Sequence, residues 1–410
     1  MSHPRLKSGT PAVTSGMARP LSFLVALLTV ASCLRSSITG VGPLLDLIRA
    51  DLQLSATLAG LLASLPLLMF ALCAPMSRLA RNHGTERLLL AALVTLLVGI
   101  LLRPTGPIGA LFAGTVLLAG GIAVANILLP VLVKQHFPSR IPAITTRYAS
   151  VMGLSATFGS ALAVPLVGML GGSWRGSLLF WAVPAVLAIV LWVPHTRRDV
   201  HVLEAGEPAP PLPWRSALAW QVTGFMGLQS LVFYVTVAWY PTMLADAGVS
   251  AQTTGWMLTL YQAAALGSGL FVPSLVHRAP NQQWLATAIG LLNALGSLGM
   301  WLWPGGIALW MVVLGVGSGP ALILALSFMG LRAANPRSVA ALSLMGQSLG
   351  YLIAASGPLA FGALHDLTGG WQASMALLVL AGLALAACGY GAGRGIAGVR
   401  VQSPGDARTG

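Results

Sequence analysis

Charge is what this sequence lacks most. Only 8% of its 410 residues are Asp, Glu, Lys or Arg, where an average soluble domain carries roughly 25%. A chain this long and this poor in charge cannot clothe a globular surface in polar side chains. With 56% apolar residues, the solvent that suits it is lipid. Cysteine is equally scarce. Cys33, Cys73 and Cys388 lie singly inside apolar stretches, with no disulfide or metal spacing, and read as small packing residues. Titratable groups at mid-membrane depth are missing as well. The nine acidic residues, and His83, His136, His195, His277 and His365, fall at the ends of apolar runs or between them. No phosphate-binding glycine loop is present. These absences set aside an ATP-driven pump, a membrane enzyme with a nucleophile or metal cluster, and an evident proton relay. No cofactor or metal is expected.

What is abundant is continuous apolar sequence. Inside a bilayer the backbone must satisfy its own hydrogen bonds, so only helices or closed barrels span it. Barrel strands would alternate in polarity over about ten residues. The runs here do not alternate, so the chain reads as an all-α membrane protein. A spanning helix needs roughly 20 mostly apolar residues. Twelve segments qualify: 21–47, 57–77, 88–104, 107–132, 146–170, 174–194, 216–242, 252–276, 283–303, 306–330, 338–363 and 371–392. The first run passes Val30-Ala31-Ser32-Cys33, which resembles a lipoprotein processing site, and continues to Ile48. That length reads as a span and not as a cleaved leader.

The longest polar interruption runs from His195 to Trp214 and contains Pro208-Ala209-Pro210-Pro211. It divides the segments six and six. The expected organisation is an N-terminal tail over 1–20, a six-helix bundle over 21–194, a linker over 195–215, a second bundle over 216–392 and a tail over 393–410. Eighteen of the 22 basic residues fall on the face that carries both termini, three fall on the other, and Arg35 lies within a span. The excess places both termini in the cytoplasm. The formal charge of +13 is thus spread between spans and forms no patch for nucleic acid.

The halves resemble each other. Gly121, Pro138 and Trp174 match Gly319, Pro336 and Trp371, Ser55-Ala56 and Gly60 match Ser250-Ala251 and Gly255, and Pro75 matches Pro273, at offsets of 195 to 198. Parallel repeats about an axis along the membrane normal are one way transporters are built, with the binding site at the repeat interface.

Arg35 is the most informative residue. A charged side chain at the bilayer centre costs roughly 3 kcal/mol on insertion scales. It should face the bundle interior, yet no acidic residue lies at its depth. An unpaired guanidinium there suits a small anion or a nitro or carboxyl group taken up bidentately. The competing reading is an Arg bound to backbone carbonyls or reaching Asp46. Asn126, Gln229, Tyr234, Tyr261, Gln262, Gln347 and Tyr351 are further polar side chains placed mid-segment, and Arg35 aligns with the region of Gln229 in the repeat. All are candidates for a central site, against the plainer reading of interhelical hydrogen bonds. Gly121, Pro130, Gly319, Pro320, Gly357 and Pro358 let helices approach or loosen, which serves rocking and close packing alike.

These residues resemble those of the cyanate and nitroimidazole permeases of the major facilitator superfamily. The resemblance rests on Leu34-Arg35, Val41-Gly42-Pro43-Leu44-Leu45, Leu65-Pro66-Leu67-Leu68, Gly121-Ile122-Ala123 with Asn126, Leu128-Leu129-Pro130 with Lys134, and Phe137-Pro138. Trp220-Gln221-Val222, Ser230-Leu231-Val232-Phe233-Tyr234 and Gln347-Ser348-Leu349-Gly350-Tyr351 look closer to the nitroimidazole branch. The resemblance implies the major facilitator fold of two pseudo-symmetric six-helix bundles, in a multi-pass, monomeric carrier of the bacterial inner membrane. It implies alternating access for a small polar or anionic compound, with efflux associated with the nitroimidazole branch and uptake with the cyanate branch. A broader, proton-coupled multidrug exporter is the rival expectation. The superfamily signature between the second and third helices carries an acidic residue before its basic cluster. Here Arg78 and Arg81 come first and the acidic group arrives late, as Glu86 beside Arg87. Arg78, Glu86 and Arg87 are the gating candidates, and a borrowed salt bridge among them is in doubt.

Overall fold

A computed structural model describes residues 18–73, 84–197, 211–278, 281–394 and 399. Fifteen α-helices run through them. In the first half they are α1 (Ala18–Thr39), α2 (Leu45–Leu52), α3 (Ala56–Cys73), α4 (Thr85–Leu102), α5 (Ile108–His136), α6 (Ile141–Met169), α7 (Trp174–Phe180) and α8 (Ala182–Trp192). In the second half they are α9 (Ala217–Asp246), α10 (Ala251–Gly269), α11 (Val272–Arg278), α12 (Gln283–Leu302), α13 (Ile307–Leu331), α14 (Pro336–Thr368) and α15 (Gln372–Gly393).

Three expected spans are each made of two helices, and the breaks have local causes. The first is interrupted by a 3-10 turn over Gly42–Leu44, where Pro43 has no N–H to give. The sixth breaks at Trp181, and Pro184 follows in the first turn of α8. The eighth breaks between α10 and α11, because Pro273 cannot donate to the carbonyl of Gly269. Among the described residues, 11 stretches are long and apolar enough to cross a membrane. The eighth span falls short because Gln252, Thr253, Thr254, Thr259, Tyr261 and Gln262 dilute its apolar content.

The second half repeats the packing of the first. α1 lies along α6 as α9 lies along α14, and α3 along α5 as α10 along α13. α4 meets α8 as α12 meets α15. Caps recur too: Ser55 Oγ accepts from the Leu58 amide and Ser250 Oγ from the Thr253 amide, each at 3.2 Å. The halves join along two seams, α3 against α14 and α6 against α10.

Side chains sort as a lipid-embedded bundle requires. Val183, Leu187 and Val190 form an exposed stripe on α8, and Leu291, Leu295 and Leu302 another on α12. Exposed apolar faces on this scale belong against acyl chains. With the eighth counted, twelve spans put Ala18 of α1 and Gly393 of α15 on one face, called here the terminal face.

Candidate functional site

On the face opposite the termini, glycine brings the halves into backbone contact. A Cβ on Gly42 would strike the Val237 carbonyl, and one on Gly60 the Pro358 carbonyl. One on Gly362 would strike the Ala56 carbonyl and the Trp239 ring. Asp366, at the end of α14, caps α3 across the seam. Its carboxylate accepts from the Ala56 amide at 3.2 Å, the Thr57 amide at 2.7 Å and the Thr57 hydroxyl at 2.6 Å. A carboxylate at a helix N-terminus also meets the positive end of the dipole.

At mid-depth, Arg35 of α1 reaches across the interface. Its Nη1 donates to the Tyr234 hydroxyl of α9 at 2.8 Å. Tyr351 of α14 lies within electrostatic range of the same guanidinium. Arg35 is half-buried. Among the described residues no carboxylate pairs with it; Asp51 is taken by Arg175 and Glu86 by His136. Rings frame the pair. Phe70 meets Tyr351 edge-on at 5.3 Å, and Phe233 meets Tyr234 edge-on at 5.2 Å and Tyr261 at 6.0 Å. Arg35, Tyr234 and Tyr351 are therefore brought together.

The remaining candidates divide. Gln262 is buried and donates across the other seam to Ser160 Oγ of α6 at 2.5 Å. Ser160 in turn donates to the Thr39 carbonyl at 3.2 Å, so the bond joins α10, α6 and α1. Gln229 is buried and spends its amide nitrogen on its own helix, on the Met226 carbonyl at 3.1 Å and Ser230 Oγ at 2.6 Å. Tyr261 is fully buried where α10 packs on α13, a core position. Asn126 and Gln347 are half-buried on α5 and α14.

The gating candidates also separate. Arg78 lies outside the described residues. Glu86 meets His136 at 3.0 Å, and Arg87 is exposed. Gly121 packs α5 against Ala92 and Leu96 of α4, and Gly319 packs α13 against Ala265 of α10, both within one bundle. Gly357 seats against Leu231 and Val235 of α9. Pro358 lies at the seam, its carbonyl accepting from Trp239 Nε1 at 2.9 Å. Pro130 is exposed and Pro320 buried within their helices.

Beyond Tyr234, toward the face opposite the termini, lies a small cavity of about 30 Å³, lined by Ser37, Ile38, Val41, Arg103, Thr115 and Tyr234 among others. Arg103 was not expected there. At the end of an apolar run it reads as a loop charge, yet it is 3% exposed. Asp366 and Ser160 were missed as well, because nothing in the sequence shows what faces a helix end or a hydroxyl.

The family described as Major Facilitator Superfamily matches residues 25–355. The chain is 40% identical over 374 residues to a 2-nitroimidazole transporter of Escherichia coli (strain K12), covering 90% of this chain and 95% of that protein. It is 27% identical over 351 residues to a cyanate transport protein of the same organism, covering 85% and 91%. Among solved structures, a nucleoside transporter superposes with a TM-score of 0.71 at 13% identity, over 91% of this chain and 100% of that one.

Proposed function

The chain belongs to the major facilitator superfamily, as a membrane transporter, and from that premise we propose that it moves a small polar or anionic compound by alternating access. The observation that carries this reading is the bond between Arg35 and Tyr234, one residue from each bundle, with no carboxylate on the guanidinium among the described residues. A ligand that takes the Tyr234 position on Arg35 separates the two bundles at mid-depth. One that bridges both holds them together. Either way, occupancy is coupled to the bundle interface, as alternating access requires.

The solute is nitroimidazole-like or cyanate-like. Each offers an electron-rich planar or linear group that fits a guanidinium fork. A relative at 40% identity is named a 2-nitroimidazole transporter, which favours that chemistry. Arg35 is the anchor, Tyr234 and Tyr351 are its frame, and Asn126 and Gln347 are half-buried polar groups available to a bound solute. The terminal face is cytoplasmic on the balance of basic residues, and the carrier works as a monomer in the bacterial inner membrane.

The test is counterflow in proteoliposomes with labelled 2-nitroimidazole and labelled cyanate. Saturable exchange of either, lost in Arg35→Ala protein that inserts normally, is the expected result. Exchange at the wild-type rate by Arg35→Ala would refute the anchor. Counterflow of bulky cations in preference to both solutes would favour a broad exporter.

A further inference from the structure

Two buried arginines are treated very differently. Arg332, 7% exposed, is held by three acceptors: its Nε donates to the Ala392 carbonyl at 2.7 Å, and its Nη2 donates to Gln282 Oε1 at 2.6 Å and the Gly393 carbonyl at 3.0 Å. Arg103, 3% exposed, has Nη1 on the Ser37 carbonyl at 3.1 Å and a buried Nε with no hydrogen-bond partner. A guanidinium carries five N–H donors. Among the described residues no carboxylate answers this one. Beside it the Ser37 hydroxyl, 2% exposed, is also without a partner. Arg103 and Ser37 line the same cavity, whose other walls are mainly apolar.

Buried donors without acceptors are costly, and a buried charge more so. Two such groups on one cavity ask for an acceptor that bears negative charge. The cavity lies past Tyr234 on the side away from the termini, since Ser37, Ile38 and Val41 follow Arg35 along the chain and Val237 and Ala238 follow Tyr234. Tyr234 is thus shared. It lines the cavity on one side and accepts from Arg35 on the other.

We propose that Arg103 and Ser37 form a second anion-binding position, separated from Arg35 by Tyr234, which holds the solute at the face opposite the termini before or after it meets Arg35. The ligand class is a small monovalent anion, or a planar carboxyl or nitro group, met by one guanidinium edge and one hydroxyl. This rests on the transport reading with Arg35 as anchor, and its failure is separable from failure of that reading.

The experiment soaks crystals of the full-length protein in iodide and reads the anomalous signal. Wild-type protein is expected to show one peak beside Arg103 and one beside Arg35. Arg103→Gln loses only the first, and Arg103→Lys, offered in case the glutamine variant folds poorly, retains it more weakly. Cyanate counterflow by Arg103→Gln is expected to show a half-saturation about tenfold higher when solute enters from the face opposite the termini, and within about twofold of wild type from the terminal face. No peak beside Arg103 in wild type overturns the proposal. So does a peak accompanied by wild-type counterflow in Arg103→Gln, which marks an adventitious ion only, or an equal change from both faces, which marks a structural arginine. A peak beside Arg103 without one beside Arg35 sinks the Arg35 anchor and leaves this site standing.

Discussion

Trp174 donates its indole N–H to Asp51 at 3.2 Å, and the same bond recurs one repeat later, where Trp371 donates to Asp246 at 3.0 Å. Ser177 and Ser374 echo it, donating to the Ala163 and Phe361 carbonyls at 2.8 Å and 2.7 Å. In each half the tryptophan ties the start of the sixth span to the end of the first span. The ties are internal to a bundle and so should survive rocking. Replacing Trp174 or Trp371 by Phe removes one hydrogen bond to a charged group and keeps most of the ring contact. We predict a loss of about 1.5–3 kcal/mol of stability for each, with the solute half-saturation unchanged. Thermal unfolding in detergent and counterflow on the same preparations measure both. A tenfold change in half-saturation would mean that these ties take part in transport.

Arg35 and Tyr234 predict a graded series. Arg35→Ala should abolish transport with normal insertion. Arg35→Lys should restore little, because an ammonium is a point charge that cannot reproduce the planar fork. Tyr234→Phe removes a single bond to a charged group, worth about 1.5–3 kcal/mol. Its half-saturation should shift by one to two orders of magnitude, in a direction set by whether the hydroxyl competes with the solute or joins in binding it. Tyr234→Phe behaving as wild type, with Arg35→Ala inactive, would confine the role to the arginine.

The sequence made some of this legible for identifiable reasons. Spans stand out because lipid tolerates few charges, and Arg35 stands out because it breaks that rule. The eighth span is the faintest of the twelve in apolar content, since Gln252, Thr254 and Gln262 dilute it. Arg103 was illegible because a charge at the end of an apolar run looks alike whether it turns into the bundle or out to water. In the sequence, Gly121 and Gly319 fit rocking and close packing equally. Only the neighbouring backbone shows that each fills a contact inside its own bundle. Gln229 looked like Arg35's counterpart in the repeat, but its bonds to Met226 and Ser230 are local, and local satisfaction leaves no trace in composition.

Gly60 gives a prediction about the seam. A side chain there would have to displace the Pro358 carbonyl, whereas Gly109 has nothing within 4 Å of an added Cβ. Gly60→Leu should prevent the bundles from meeting on the face opposite the termini, so transport is lost at normal insertion. Gly109→Ala should transport as wild type. Labelling of a single cysteine at Ala238, with Cys33, Cys73 and Cys388 replaced by Ser, should be faster in Gly60→Leu from that face. Unchanged labelling would show that the seam absorbs the side chain and that the glycine serves packing alone.

Asp366 predicts a smaller and reversible bias. Its carboxylate caps α3 from the other bundle with three bonds, so the contact exists only while this face is closed. Asp366→Asn keeps an acceptor oxygen of similar shape and removes the charge that meets the helix dipole. Such interactions contribute about 0.3–1 kcal/mol at exposed sites, so the closed population should fall by up to about fivefold relative to the open one. The Ala238 cysteine should then label faster by the same factor, and solute entering from that face should show an altered maximal rate with little change in half-saturation. Asp366→Ala, which removes all three bonds, should move labelling further in the same direction. If both variants label as wild type, the cap is incidental to closure and the glycine contacts alone hold the face shut.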